Sequence, residues 1–454
     1  MNKEERSFIN GPILPALLRF AFPVLLALFL QTMYGAVDLI IIGQFGTAKD
    51  ISAVSTGSQI MQVVTFMITS LSMGITISAG QKIGEGKPEE AGSVIGSGIC
   101  LFTLIALVMT ASMVGFAAPV ARLMQAPREA FDFTVYYIRI CSAGSIFIVA
   151  YNVIGSIFRG IGDSKMPLLT VAIACVCNIC GDLFFVAVLR LGVSGAAIAT
   201  ILAQAISVII SLGVIKRKEL PFKLSRDKIK MNPLMVKRIL VLGVPIALQD
   251  FLVSISFLVI LAIVNGMGLI ASAGLGIAEK LCGFVMLVPS SYMQSMSAFV
   301  AQNVGARKLD RAKKALAWGI ATSLLAGVFM GYFSFFHGEI MAGFFADAKE
   351  IEVIGAAADY LRAYSIDCIL TSFLFCFLGY FNGCGKTLFV MIQGIIGAFA
   401  VRIPVSYFAS KAAGATLFSI GLATPASSMV QILLCLICFV RINGKKGRNI
   451  SIKE

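Results

Sequence analysis

Nine ionisable side chains stand inside stretches that are otherwise apolar: the acids Asp38, Asp182, Asp250, Glu279 and Asp367, and the bases Arg139, Lys280, Arg362 and Arg402. A charge at the centre of a membrane helix costs on the order of 3 kcal/mol on insertion scales, so each must face a partner or a cavity. Asp38 and Asp182 form the best constellation. Asn178 and Asp182 are four residues apart and share a helix face. A tight turn near Gly192 joins their helix to the next, placing Asp182 about 15 Å and Thr200 about 12 Å below the turn at 1.5 Å per residue. Asp38 lies about 12 Å from the end of its own helix near Gly46. Four oxygen-bearing side chains thus fall at one depth, and Tyr34 and Gln31, four and seven residues before Asp38, can line the same face. Two carboxylates with an amide and a hydroxyl suit a hard cation such as sodium, which prefers oxygen ligands. Two carboxylates that repel one another also suit a proton carrier. The residue types do not choose between the two ions. The alternative is an architectural cluster bonded to neighbouring helices.

Further along, Gln249, Asp250, Asp367 and Arg402 are candidates for an opposing wall, with Arg402 able to neutralise Asp367 or Asp250 as a buried pair. Glu279 and Lys280 are adjacent, point about 100° apart on a helix, and are expected to pair with other partners. Pro23 and Pro245 each remove a backbone hydrogen bond and can kink their helices. Other chemistry is weakly supported. Cys177/Cys180 and Cys435/Cys438 have metal-ligand spacing, but no histidine or second cysteine pair completes either set. GCGKT (383–387) ends like a phosphate-binding loop, yet Tyr380 occupies the position of its first glycine and no strand precedes it. His337 is the only histidine, and no nucleophile has a base and an orienting partner, so an enzyme is not expected.

The elements that position these residues follow from composition. Of 454 residues 58% are apolar and 13% charged, about half the charged fraction of a soluble domain, and the mean hydropathy is +0.92. These values exclude an ordinary cytosolic enzyme, a disordered chain and a collagen. They predict an all-α membrane protein. Spans of about 20 residues or more are expected at 13–43, 52–80, 92–121, 131–157, 165–190, 192–215, 235–267, 274–303, 313–340, 352–381, 387–410 and 414–441. With both termini in the cytoplasm, 27 of the 37 lysines and arginines fall in inside segments and six in outside segments, the asymmetry that the positive-inside rule requires. The net charge of +14 therefore reports orientation, not nucleic-acid binding.

The most hydrophilic stretch, KRKELPFKLSRDKIKMNPLMVKR (216–238), reads as a cytoplasmic linker between an N-terminal lobe (1–215) and a C-terminal lobe (239–454). The halves repeat: Tyr137–Gly162 aligns with Tyr360–Gly385 without a gap and with seven identities, among them Arg139/Arg362, Phe158/Phe381 and Gly160/Gly383. Gln81 and Gly84 meet Gln302 and Gly305, and Pro23 meets Pro245. Because each half has an even number of spans, the two are parallel repeats about an axis along the membrane normal, a transporter architecture with a central cleft that rocks between sides.

Four segments, PVLLALFLQTMYGAVDLIIIG (23–43), FRGIGDSKMP (158–167), AQNVGARKLDRA (301–312) and VRIPVSY (401–407), resemble the multidrug and toxic compound extrusion family over nearly the whole chain. The likeness is greatest to its bacterial DNA-damage-inducible-protein-like branch. The resemblance implies a V-shaped bundle of twelve helices and an antiporter that exports lipophilic or cationic compounds in exchange for sodium or protons. Asp38, Asn178, Asp182 and Thr200 match that branch's amino-lobe cation and proton site. Val253 stands where another bacterial branch carries a glutamate, while Asp367 matches that branch's acid on span ten. A flippase for lipid-linked sugars, from the same superfamily, is the competing reading, although its large basic cavity fits poorly with the acidic residues here. The expected partners are small molecules and the lipid bilayer, with no nucleic acid, no structural metal and no cofactor beyond the coupling ion. A monomer in the bacterial plasma membrane is the expectation.

Overall fold

A computed structural model describes residues 5–222, 228–346 and 349–443. Lys3, Lys223, Arg226 and the basic residues after 444 lie outside the described residues. After a short helix, Glu5–Asn10, the chain forms eleven helices long and apolar enough to cross a membrane, together with one bent helix pair that makes a twelfth span. The first six are span 1 (Ile13–Phe45), span 2 (Ala48–Gly84), span 3 (Pro88–Leu123), span 4 (Phe131–Ala143 and Ser145–Ile161), span 5 (Lys165–Val188) and span 6 (Gly192–Arg217). The next six are span 7 (Pro233–Asn265), span 8 (Leu269–Gly305), span 9 (Leu309–Phe336), span 10 (Ile351–Gly383), span 11 (Thr387–Lys411) and span 12 (Leu417–Ile442). No strand occurs among the described residues.

Several helices run past the apolar stretches that define them because polar caps extend them. Asp50 accepts hydrogen bonds from the backbone N–H and hydroxyl of Thr47, both 2.8 Å, and so starts span 2 four residues early. Pro88 opens span 3 with Glu89 and Glu90 in its first turn, where a missing N–H costs nothing and negative charge is favoured.

Among the departures from straight α-helix that the hydropathy pattern does not show, three lie in spans 4, 5 and 11. Span 4 bends by 53° at Gly144, where a Cβ would lie 2.5 Å from the Ile201 side chain of span 6. Span 5 widens into a π-helical segment at Leu183–Val188, immediately after Asp182. Span 11 does the same at Ile396–Arg402. Such segments interrupt the regular hydrogen-bond ladder and recur at functional sites.

The chain divides into two compact units. The first comprises Met1–Ala247 with Ala301–Leu309, so it holds spans 1–6 and the near ends of spans 7 and 8; the second comprises Leu248–Val300 with Asp310–Glu454. In the first unit Ile75, Ile95, Phe102, Phe158 and Ile239 lie at the centre of the larger core. Small residues let backbones approach there: a Cβ on Gly84 would meet the Gln302 carbonyl oxygen at 2.0 Å, and one on Gly305 would meet that of Gln81 at 2.0 Å. The described parts of the linker pack against the start of span 3. Phe222 is buried against Gly92, the Lys228 carbonyl packs on Gly96, and Ser97 donates to the Lys230 carbonyl at 3.1 Å. Lys218 pairs with Asp163 and Lys228 with Glu89. In the second unit the core gathers around Leu275, Tyr360, Leu361, Tyr364 and Cys368.

Candidate functional site

Span 1 carries Asp38, span 5 carries Asn178 and Asp182, and span 6 carries Thr200. Spans 5 and 6 meet through small residues beside these positions: a Cβ on Gly181 would lie 3.0 Å from that of Ala199. That approach brings all four side chains together within the first unit. Asp38 neighbours Asp182, Asn178 and Thr200, and Asn178 Nδ2 donates to Asp182 Oδ2 at 3.4 Å. Asp38 is 5% exposed, Asn178 1% and Asp182 0%, so the cluster is cut off from bulk solvent.

The chemistry of this arrangement is constrained. Two neighbouring carboxylates out of water repel one another, which favours a proton or a cation shared between them. Oδ1 of Asp38, Oδ1 of Asp182 and Oδ1 of Asn178 are buried without a hydrogen-bond partner among the described residues, although buried oxygens are ordinarily satisfied. Thr200 gives its hydroxyl proton to the Ala196 carbonyl at 3.0 Å, which leaves its oxygen lone pairs as acceptors. The cluster therefore offers oxygen acceptors almost exclusively.

Tyr34 lies near Gln204 and Asp38. Gln204 is buried and escaped the sequence reading, although it follows Thr200 by four residues and so shares its helix face. Gln31 is half-buried. Pro23 and Pro245 each lie inside an unbroken helix, spans 1 and 7.

The second-half candidates behave differently. Asp367 is buried near Ser428 and is influenced electrostatically by Arg402. The expected ion pair is absent: among the described residues no Arg402–carboxylate contact falls within 4.0 Å. Arg402 Nη1 instead donates to Ser256 Oγ at 3.0 Å, and its guanidinium sits 4.3 Å from the centre of the Phe257 ring. Asp367, Tyr360 and Tyr364 are the groups that bear on its charge. Ser256, Phe257 and Ser428 carried no signal in the sequence, because their relevance depends on which helices are adjacent. Gln249 is buried and packs against Gly394, and Asp250 is half-buried. Glu279 is half-buried and Lys280 exposed, and neither forms an ion pair among the described residues, contrary to expectation. Arg139 is exposed, whereas its repeat counterpart Arg362 pairs with Asp359 at 2.9 Å and Glu339 at 3.1 Å. No cluster of histidine, cysteine and acids suited to a structural metal occurs among the described residues.

Comparison with known proteins places the chain in a family. The family model MatE matches two stretches, residues 23–184 and 245–408, one in each half. The chain is 29% identical over 300 residues to the "Probable multidrug resistance protein YpnP" of Bacillus subtilis, a match covering 66% of each chain. It is 24% identical over 430 residues to the "Probable multidrug resistance protein YoeA" of the same organism, covering 91% of each. Among solved structures, one described as "MATE in complex with MaL6" superimposes with a TM-score of 0.91 at 21% identity, over 97% of this chain and 99% of that one. Another, an "outward-facing conformation of a multidrug resistance MATE family transporter of the MOP superfamily", also gives 0.91 at 21% identity, over 97% and 98%. With its twelve spans in two repeated halves and the family model matched once in each, the chain belongs to the MatE family of multi-pass membrane transporters.

Proposed function

We propose that the protein is a secondary active antiporter that exports lipophilic or cationic compounds from the cytoplasm in exchange for sodium or protons. The reading rests on one observation: the buried Asp38, Asn178 and Asp182 and the half-buried Thr200, from three helices, gather in one acceptor-rich cluster. In this reading the cluster alternates between holding the coupling ion and releasing it, and the change in charge biases the bending of span 1, which carries both Asp38 and Pro23. The names of the curated relatives, which speak of multidrug resistance, support the substrate class. The abundant phenylalanine and methionine, 34 and 19 residues, supply soft surfaces that attract lipophilic cations. The protein works as a monomer in the bacterial plasma membrane with both termini inside, and needs no cofactor besides the coupling ion.

Ethidium efflux from cells or vesicles, with sodium and proton gradients imposed separately, tests the assignment. Wild type should respond to one of the gradients, and Asp38→Asn should lose most of that response. Identical efflux by both proteins under every gradient would overturn the site.

A further inference from the structure

The ends of spans 2 and 8, cytoplasmic in the proposed orientation, are related by the internal repeat, yet the same turn does different work in each. At an offset of 221 residues Lys82, Glu85, Lys87 and Glu90 correspond to Asn303, Ala306, Lys308 and Arg311. After span 2 the four side chains close on themselves: Lys82 pairs with Glu85 at 2.9 Å and Glu90 at 2.7 Å, and Lys87 with Glu90 at 3.2 Å. After span 8 both acids are replaced, so Asn303 and Lys308 turn elsewhere. The backbone turn itself is kept, with Gly86 and Arg307 both left-handed at φ 74° and 58°.

Both hold the amino-terminal segment. Asn303 Nδ2 donates to the Phe8 carbonyl at 3.1 Å, and Lys308 Nζ donates to the Ile9 carbonyl at 3.1 Å and to Asn10 Oδ1 at 2.6 Å. Phe8 and Ile9 lie in the last turn of the helix Glu5–Asn10, where carbonyls lack partners within the helix and a cation is favoured. The Phe8 ring is buried and meets Phe20 of span 1 edge to face, with ring centres 5.1 Å apart. Gln302 Nε2 donates to the Gly160 carbonyl at 3.0 Å, and a Cβ on Gly162 would lie 3.1 Å from that nitrogen and 3.7 Å from the Phe8 ring. The last turn of span 8 is thus tied to spans 1 and 4. All these residues belong to the first unit, which takes Ala301–Leu309, whereas the preceding part of span 8 belongs to the second. The boundary falls inside one helix, Leu287–Gly305. Residues 298–304 contain no glycine, proline or serine, the common sources of a kink, so movement of the second unit pulls on this turn more readily than it bends the helix.

We infer that the amino-terminal segment is a releasable latch: residues 8–10, gripped by Asn303 and Lys308, fasten the last turn of span 8 to the first unit and let go each time the protein opens to the cytoplasm. Opening in the proposed cycle separates the repeat-related ends of spans 2 and 8, which cross at Gly84 and Gly305. That crossing cannot part while span 8 stays tied. The inference rests on the reading of the protein as an exporter that opens to each side in turn, and the test separates the two.

Asn10 and Lys308 are exposed, so the latch can be locked chemically. In the full-length protein carrying Asn10→Cys and Lys308→Cys, a short bifunctional methanethiosulfonate should stop ethidium efflux, and a reductant should restore it. Each single-cysteine variant given the same reagent should keep its efflux. Undiminished efflux by the cross-linked protein overturns the inference. A second arm needs no transport. Ala301 is buried, and its Cβ would lie 3.2 Å from one on Gly80 of span 2, so Ala301→Cys reports separation of the two ends through its labelling by a maleimide from the cytoplasmic side, corrected for the native cysteines. Adding Lys308→Met should raise that labelling rate about fivefold, the worth of one hydrogen bond, and Lys308→Arg, which keeps the donors, should leave it unchanged. An unchanged rate in Lys308→Met is equally fatal to the latch. Should Ala301→Cys fail to fold, the cross-link alone decides. Wild-type efflux without reagent tests the export reading by itself, and the labelling arm stands whatever that result.

Discussion

Gly84 and Asp38 illustrate two kinds of constraint on a single residue. At Gly84 the constraint is steric: a side chain would meet the Gln302 carbonyl at 2.0 Å, and a carbonyl cannot rotate away as a flexible side chain can. Gly84→Val should therefore destabilise the protein by about 2 kcal/mol, read as a lowered melting temperature in detergent. Gly276→Ala, with nothing within 4 Å of the new methyl group, should be neutral or stabilise by about 0.5 kcal/mol. At the Asp38 cluster the constraint is chemical. Thr200 contributes an acceptor oxygen, so Thr200→Val should raise the ion concentration for half-maximal efflux about tenfold, roughly the worth of one lost polar contact to a charge. Thr200→Ser should leave it nearly unchanged. Asp38, Asn178, Asp182 and Thr200 were legible in the sequence because helical rise sets depth and four-residue spacing sets face. Gln204 was equally legible by spacing, but Ser428, Ser256 and Phe257 were not, since no local pattern states which helices are neighbours.

Helix interiors show where pattern reading stops. Spans 4 and 10 share seven identities over the aligned segment, yet span 4 bends by 53° at Gly144 while span 10 runs unbroken from Ile351 to Gly383. At the bend stands Gly144, where the aligned residue of span 10 is Asp367, and a side chain there would meet Ile201 of span 6 at 2.5 Å; hydropathy registers no such neighbour. The π-helical segments of spans 5 and 11 were equally hidden, because one extra residue in a turn leaves an apolar run apolar. Pro23 was visible, and its effect belongs to this scale. It removes one backbone hydrogen bond from span 1, so Pro23→Ala should stiffen the helix and impair turnover while leaving the Asp38 cluster assembled. Undiminished ethidium efflux by that variant would refute a bending role.

Across the whole molecule, duplication supplies the framework, and the family model matching once in each half restates it. The duplicated halves nonetheless differ in buried charge: the acids Asp38 and Asp182 in the first unit, the acid Asp367 and the base Arg402 in the second. Basic residues fix how this framework enters the membrane. Alkaline phosphatase fused after Arg217 or after Asn443 should be inactive, and fused after Pro127 should be active, if the linker and carboxy terminus are cytoplasmic. Activity at either of the first two positions would reverse the proposed orientation.

Hydropathy, charge asymmetry and internal repetition were enough to determine the twelve spans and the two parallel halves, because lipid forces each crossing to satisfy its own backbone and so writes every span into local composition. The depth of the polar residues followed from the same regularity. Tertiary structure alone decided which of them meet. Asp38 and Asp182 converge because Gly181 and Ala199 let spans 5 and 6 close beside span 1, while Arg402 turns toward Ser256 and Phe257 without closing on Asp367. Such pairings depend on side-chain volume at helix crossings, a property of two segments at once that neither segment records by itself.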